Sequence, residues 1–443
     1  MNNTVFSFQN LLELLDRIPG KGCCWLAYSG GIDSTVLLHY LYMNKENISR
    51  DIKAVHVNHN ISKYSGRWAN HCRQVCHEFQ IPFELLVLDA SKSEGYGPEA
   101  YARTLRYEAI SRLLSTNDIL LTAHHRDDLA ETFFLQLMRG AGPEGLAGMP
   151  GFRKLDRGWI ARPFLDYTRD QLHAYAVQHK LQWIEDDSNS DVNFDRNYIR
   201  NQVIPYLQKR WPAVTRTLAR SARHQADLLE IIKFSAEIDF QNVIGESVDI
   251  LNIGKFNKLP VARKRNLLRY WLKINNKPSA TSAVIEEIIF NLVNAGQDCQ
   301  PLVAWNNTEI RRYRDNIYLM HALPYLDSTT TYTWILPESL DIKYARIEAK
   351  QVTGKGIKTD ALIDNVINVR FRHGGEEIQP VGRGETHKLK KMYQQAGIPP
   401  WKRSRIPLLY INNELASVTG YWIDQKFLAR GNEPGWEIFL VEY

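Results

Sequence analysis

The chain has 443 residues, 44% of them apolar and 23% charged, a balance that excludes a disordered or fibrous protein. At roughly 150 residues per domain, the length predicts about three domains. Lys and Arg exceed Asp and Glu by a net +6, which permits a polyanionic partner without demanding one, and no apolar run approaches the ~20 residues of a membrane helix.

The first residues carry no basic start and space their apolar side chains at helical intervals, which predicts a helix rather than a signal peptide. Short apolar runs at 23–28, 52–57, 83–88 and 118–123 read as buried strands, and 33–43, 67–79 and 99–114 have helical spacing between them. That alternation predicts an α/β fold with a doubly wound parallel sheet, which binds ligands outside the carboxyl ends of its strands. The glycine-rich stretch 140–145 reads as a loop closing this unit, 168–179 as a helix and 186–201 as a polar loop. From Arg216 the pattern is mostly helical and basic, with Arg220, Arg223, Lys264, Arg265 and Arg269. Residues 327–331 read as a linker, and short alternating segments beyond it predict a small α+β domain. The expected divisions are therefore 1–215, 216–325 and 326–443.

Five cysteines, Cys23, Cys24, Cys72, Cys76 and Cys299, include no CxxC pair, so a reducing cytoplasm is the expected compartment. Cys72 and Cys76 share a helix face, but a structural zinc site draws four ligands from separate elements; the reading is two half-buried thiols.

The strongest local signal is Ser29-Gly30-Gly31-Ile32-Asp33-Ser34, between a strand and a helix. Glycines let backbone approach a phosphate, a helix N-terminus offers unpaired N–H groups, and Asp33 suits a divalent cation such as Mg²⁺. No GxxxxGK[ST] occurs, which disfavours a Walker-type enzyme. His124-His125-Arg126-Asp127-Asp128 through Glu131 follows another strand end, and Asp128 and Glu131 share a helix face. Two carboxylates beside a triphosphate suit cation binding or handling of an amine nucleophile; the ordinary alternative is an acidic helix start. Arg103, Arg106, Arg196 and Arg200 are the cations available for developing phosphate charge. Between 370 and 405, nine Lys or Arg face three acids, and Arg383, Lys388, Lys390, Lys391 and Arg403 interleave with Tyr393 and Trp401 as possible stacking rings.

The loop at 29–34 resembles the PP-loop of N-type ATP pyrophosphatases, which cleave ATP between its α and β phosphates. Further stretches extend the likeness: 56–59, 97–100, 123–132, 139–143, 183–189, 196–200, 382–391 and 398–401. Taken in order, they make most of the chain resemble the tRNA(Ile)-lysidine synthetase family. Asn60 stands where that family usually has glycine, and asparagine tolerates the left-handed backbone such a turn needs. The resemblance implies ATP and Mg²⁺, free L-lysine, and an isoleucine tRNA with a CAU anticodon, whose wobble cytidine becomes lysidine. It implies that Ser29, Gly30, Gly31, Ile32, Asp33 and Ser34 hold ATP, with Asp33 as metal ligand. Asp128 and Glu131 would position or deprotonate the lysine amine, and Arg103 or Arg106 with Arg196 or Arg200 would stabilise phosphate. The parts from 216 onward would grip tRNA; a homodimer is allowed. Another PP-loop ligase, acting on a small molecule or a different tRNA base, and a tRNA-binding module without catalysis stay open as alternatives.

Overall fold

In the computed structural model, described for residues 8–19, 21–58, 60, 64–88, 98–185, 190–296, 299–363 and 366–442, the chain divides into two compact units at Phe234/Ser235. The first unit runs α1 (Phe8–Asp16), β1 (Cys24–Ala27), α2 (Ile32–Met43), β2 (Ile52–Asn58), α3 (Ser65–Glu78), β3 (Phe83–Val87), α4 (Pro98–Leu113), β4 (Ile119–Leu121) and α5 (Arg126–Met138). A short α6 (Pro143–Leu146), β5 (Phe152–Lys154), β6 (Trp159–Ala161), α7 (Arg169–Gln178), α8 (Asp195–Tyr198), a π turn (Ile199–Val203) and α9 (Ile204–Arg210) follow. The long α10 (Val214–Val243) carries the chain past the division.

The sheet order is β3-β2-β1-β4-β6-β5, parallel throughout except for the antiparallel β5–β6 pair. The chain leaves β1 toward β2 and β3, then returns to place β4 on the other side. The switch point therefore lies between β1 and β4, where a doubly wound sheet opens a ligand crevice. Period-two alternation fills both faces. Cys24, Leu26 and Ile119 meet α2, α3 and α7 residues on one side, while Trp25, Leu120 and Ile160 pack with Ile110 and Leu114 on the other. Buried residues run unbroken from Ser34 to Leu41, so α2 presents no polar face to water. At the opposite end of β1, the buried Asp118 carboxylate accepts from Cys23 N (2.7 Å), Ser115 N (2.9 Å) and the Trp25 indole (3.3 Å).

Two local expectations change. The glycine-rich stretch does not close the sheet, because the hairpin of β5 and β6 adds two further strands beyond it. The expected polar loop at 186–201 is helical from Asp195, where Arg196 and Arg200 stand one turn apart; positions 186–189 lie outside the described residues. Asn60 has φ 54°, the left-handed turn expected of it, while His59 and Gly97 lie outside the described residues.

In the second unit, α10, α12 (Val261–Ile274) and α13 (Ser282–Glu287) surround a buried Trp271, whose indole donates to Val248 O at 2.8 Å. The helical pattern concealed a four-stranded antiparallel sheet, β7 (Ile250–Asn252), β10 (Asn316–His321), β9 (Thr308–Tyr313) and β8 (Leu302–Trp305), which closes this core. A short α11 (Ile253–Asn257) caps β7, with Asn252 accepting from Lys255 N. Beyond 326, a five-stranded and a four-stranded sheet share a core that includes Trp334, Ile347, Val369 and Leu409.

Asp118→Ala leaves the buried Trp25 indole and the part-buried backbone donors of Cys23 and Ser115 without an acceptor, which should cost on the order of 2–3 kcal/mol. Hydrogen exchange read on the β1 and β4 peptides should then quicken by about 30- to 100-fold, with α12 unaffected.

Candidate functional site

The loop after β1 turns on Gly30, whose φ of 82° is a left-handed conformation that glycine adopts freely. A Cβ built there would lie 2.9 Å from Cys72 Sγ and 3.0 Å from Ile184 Cδ1, so the absence of a side chain also lets α3 and the segment after α7 close on the loop. Ile184 N donates to Gly30 O at 2.9 Å. Ser29 and Ser34 brace the loop from within: their hydroxyls lie 3.0 Å apart, and Ser34 Oγ donates to Gly31 O at 3.0 Å. Gly31 caps α2 in an extended conformation and no side chain accepts from the helix start. That leaves the first-turn N–H groups and the positive end of the helix dipole open to an anion.

Across the switch point, the second histidine of the 124–125 pair forms the centre of the site. His125 is 1% exposed, with Nε2 3.6 Å from Asp33 Oδ2 and 3.5 Å from Asp128 Oδ2, and Nδ1 3.6 Å from Asp127 Oδ2. Burial pulls the imidazole pKa down, but the carboxylates of Asp128, Asp127 and Asp33 outweigh it and push it up to about 10. A charged imidazolium therefore faces the PP-loop aspartate. Asp127 also accepts from Arg169 N at 2.9 Å, which fixes the start of α7 to the same cluster.

Asp128 and Glu131 sit on one face of α5, as their spacing predicts, and both are buried. Arg196 donates to Glu131 Oε2 at 2.9 Å and to Asp128 Oδ1 at 2.7 Å. Arg200 reaches Glu131 Oε1 at 2.6 Å and Oε2 at 2.8 Å, and Asp128 Oδ1 at 3.1 Å. Burial raises the Asp128 pKa, but His125 and Arg196 overcome it and hold the carboxyl at about 2. Its neighbours thus keep this carboxylate as a fixed negative charge in the site. The arginines expected to meet phosphate are thus bonded to the carboxylates expected to meet the amine.

Arg106 is exposed on α4, and the Arg103 side chain lies outside the described residues. Asp33 Oδ1 is buried without a hydrogen-bond partner among the described residues, an oxygen of the kind a divalent cation takes. Cys72 and Cys76 are wholly buried, more than the half-burial expected; burial pushes both thiols up to about 12, and Cys72 packs behind Gly30.

In the C-terminal part, Arg383, Lys388, Lys390 and Lys391 are exposed. Trp401 and Tyr393 correct the expectation of stacking rings. Trp401 is 7% exposed, edge-on to Tyr318 at 5.4 Å and Tyr313 at 6.2 Å, and Tyr393 is buried with Met392 and Leu389. Arg403 is likewise turned inward, donating to Ile398 O at 2.7 Å and Tyr313 Oη at 3.1 Å. Aromatic area at these positions is used as core, which a base cannot reach. His125 and Asp127 are the residues that spacing alone did not single out. Their signal was present as a histidine separated by one arginine from two consecutive aspartates at a helix start.

Comparison with known proteins places the whole chain in one family. The family described as the PP-loop domain matches residues 4–207, the TilS substrate binding domain matches 251–318, and the TilS substrate C-terminal domain matches 367–440. The chain is 39% identical to the tRNA(Ile)-lysidine synthase of Coxiella burnetii, over 98% of this chain and 96% of that one. It is 39% identical to that of Legionella pneumophila strain Paris (93% and 94% covered) and 34% identical to that of Pectobacterium atrosepticum (99% of each). With all three matched regions in order and both sequences covered almost end to end, the chain belongs to the tRNA(Ile)-lysidine synthase family.

Proposed function

We propose that this protein ligates free L-lysine to C2 of the wobble cytidine of a CAU-anticodon isoleucine tRNA, in the cytoplasm, giving lysidine, AMP and pyrophosphate. The observation that carries it is the joining of the PP-loop to the Asp33–His125–Asp128–Glu131–Arg196–Arg200 network at the switch point. In the first step the C2 oxygen of cytidine attacks the α-phosphorus of ATP and pyrophosphate leaves. In the second the ε-amine of lysine attacks C2, AMP leaves with that oxygen, and the amine loses a proton.

Residues 1–215 would carry out adenylation, with 216–325 and 326–443 holding the tRNA. The open amides of α2 and the backbone of Ser29–Ser34 suit the phosphates. His125, kept charged, suits the negative charge that builds on the α-phosphate, a role in which a fixed cation reduces reorganisation. Asp33 would hold Mg²⁺, which when bound neutralises phosphate charge. Asp128 and Glu131 would position the lysine ammonium, with Arg196 and Arg200 fixing their orientation and free to exchange toward the lysine carboxylate or phosphate. Arg103 and Arg106 remain candidates for phosphate contact. Arg383, Lys388, Lys390 and Lys391 offer an exposed basic surface for the tRNA backbone.

Mass analysis of nucleosides after incubation with ATP, Mg²⁺, lysine and CAU-anticodon isoleucine tRNA tests the reading. Cytidine should gain lysine minus water only when ATP and lysine are both present; ATP turnover to AMP on a small molecule instead would favour a different PP-loop ligase. Asp33→Ala should slow lysidine formation on the order of 10²–10³-fold. Replacing Lys388, Lys390 and Lys391 together by Ala should weaken tRNA binding and flatten its salt dependence by up to about three log units per log unit of salt, with ATP binding intact.

The His125 pKa is raised on folding, so its stabilising contribution is complete below the ordinary value of 6.5 and is lost as pH rises through about 10. The stability gap between the parent and His125→Gln should therefore persist at neutral pH and close on the alkaline side, as read from urea midpoints across pH.

A further inference from the structure

Beside the PP-loop lies a cavity of about 440 Å³, between the start of α3 and the segment that follows α7. Three aromatic rings line it: Tyr64 and Trp68 from α3 and its approach, with centroids 6.4 Å apart, and Trp183 opposite. Arg67 and Glu185 also line it, and neither makes a hydrogen bond or ion pair among the described residues. Ile184 belongs to both places: it lines the cavity and packs on Gly30.

Flat rings lining one cavity favour a flat ligand, and the volume lies in the range of about 300–1,000 Å³ typical of small-molecule sites. A free carboxylate accepts hydrogens from the exocyclic amine of a base, and a free guanidinium suits the phosphate attached to it. Together they describe a nucleobase subsite. Its occupant has two sources, the adenine of ATP or an unpaired base of RNA. Ile184 lines the cavity and packs on Gly30, and Arg67 brings to it a guanidinium separate from the PP-loop amides. A ligand with a phosphate on either side of each base meets that pattern, and single-stranded loops bind in this way, by stacking plus backbone charge.

Resting on the proposed reading of the site, we infer that this cavity receives an unstacked base of the anticodon loop, next to the cytidine being modified. Holding a neighbouring base would orient the loop so that the target presents its C2 oxygen to the phosphate site.

The test uses the full-length protein with tRNA and with anticodon stem-loops carrying an abasic site at each loop position other than the wobble base. Trp68→Ala and Arg67→Ala should each raise the tRNA KM, the former by about 5- to 100-fold, since base–aromatic stacking is worth about 1–3 kcal/mol. Trp68→Phe should restore most of the affinity, and the KM for ATP should stay within about twofold of parental if stacking on RNA is the sole role. One abasic position should weaken the parent by a similar factor and leave Trp68→Ala unaffected. If the ATP KM rises while the tRNA KM holds, the cavity serves adenine and the inference is wrong. An unchanged tRNA KM in both variants, or additive losses at every abasic position, would also overturn it. Failure of the parent itself to form lysidine would sink the broader functional reading instead, so the two failures are distinguishable.

Discussion

The arrangement at the switch point depends on the ionisation of one buried imidazole. His125 is surrounded by Asp33, Asp127 and Asp128, and two guanidinium groups sit behind it on Asp128 and Glu131. Removing such charges from water is costly, and the mutual attraction offsets that cost only when each group has its partners. The network ties three separate elements together: the PP-loop through Asp33, the start of α5 through His125, and the α8 region through the arginines. Among these seven groups four are acidic and three are cationic, so with the histidine charged the cluster is one positive charge short. A site with that balance favours the arrival of a cation, whether a metal ion or an ammonium group.

The same view explains how charged side chains of opposite sign can be held still and yet stay available. Arg200 grips Glu131 through two donors, a fork geometry that fixes the carboxylate plane. Yet both arginines keep appreciable contact with water, at 30% and 21% exposed, while the Glu131 side chain is at 2%. Exposed cations over buried anions leave the cations as the exchangeable layer. The guanidinium groups, and not the carboxylates beneath them, are what the site presents to solvent.

Much of this was legible in the sequence. Strand and helix periodicity located β1 through β4 and their helices to within a residue or two, because burial on both faces of a parallel sheet leaves continuous apolar runs. The PP-loop was legible because glycine and a helix start have a direct backbone meaning. What could not be read was pairing. The bonds from Arg196 and Arg200 to Asp128 and Glu131 span 65 to 72 positions, and no local pattern specifies which cation meets which anion. The aromatic residues near the C-terminus failed for a related reason: Trp401 beside basic residues has the composition of a binding surface, but Tyr313 and Tyr318, far away in sequence, claim its ring for the core. Short strands such as β7 carried too few residues to show a period beside long helices.

The bond from Ile184 N to Gly30 O has a temporal meaning. During synthesis the glycine loop emerges long before its cover, and the arginines of the α8 region emerge later still. Contacts of high sequence separation form late because loop-closure entropy must be met first. A nascent chain can thus complete β1 and α2 while its nucleotide cradle still lacks both the segment that packs on it and the cations that balance it. The cradle is complete only with the closing of the unit, so an unfinished chain carries the motif without the contacts that build the site around it.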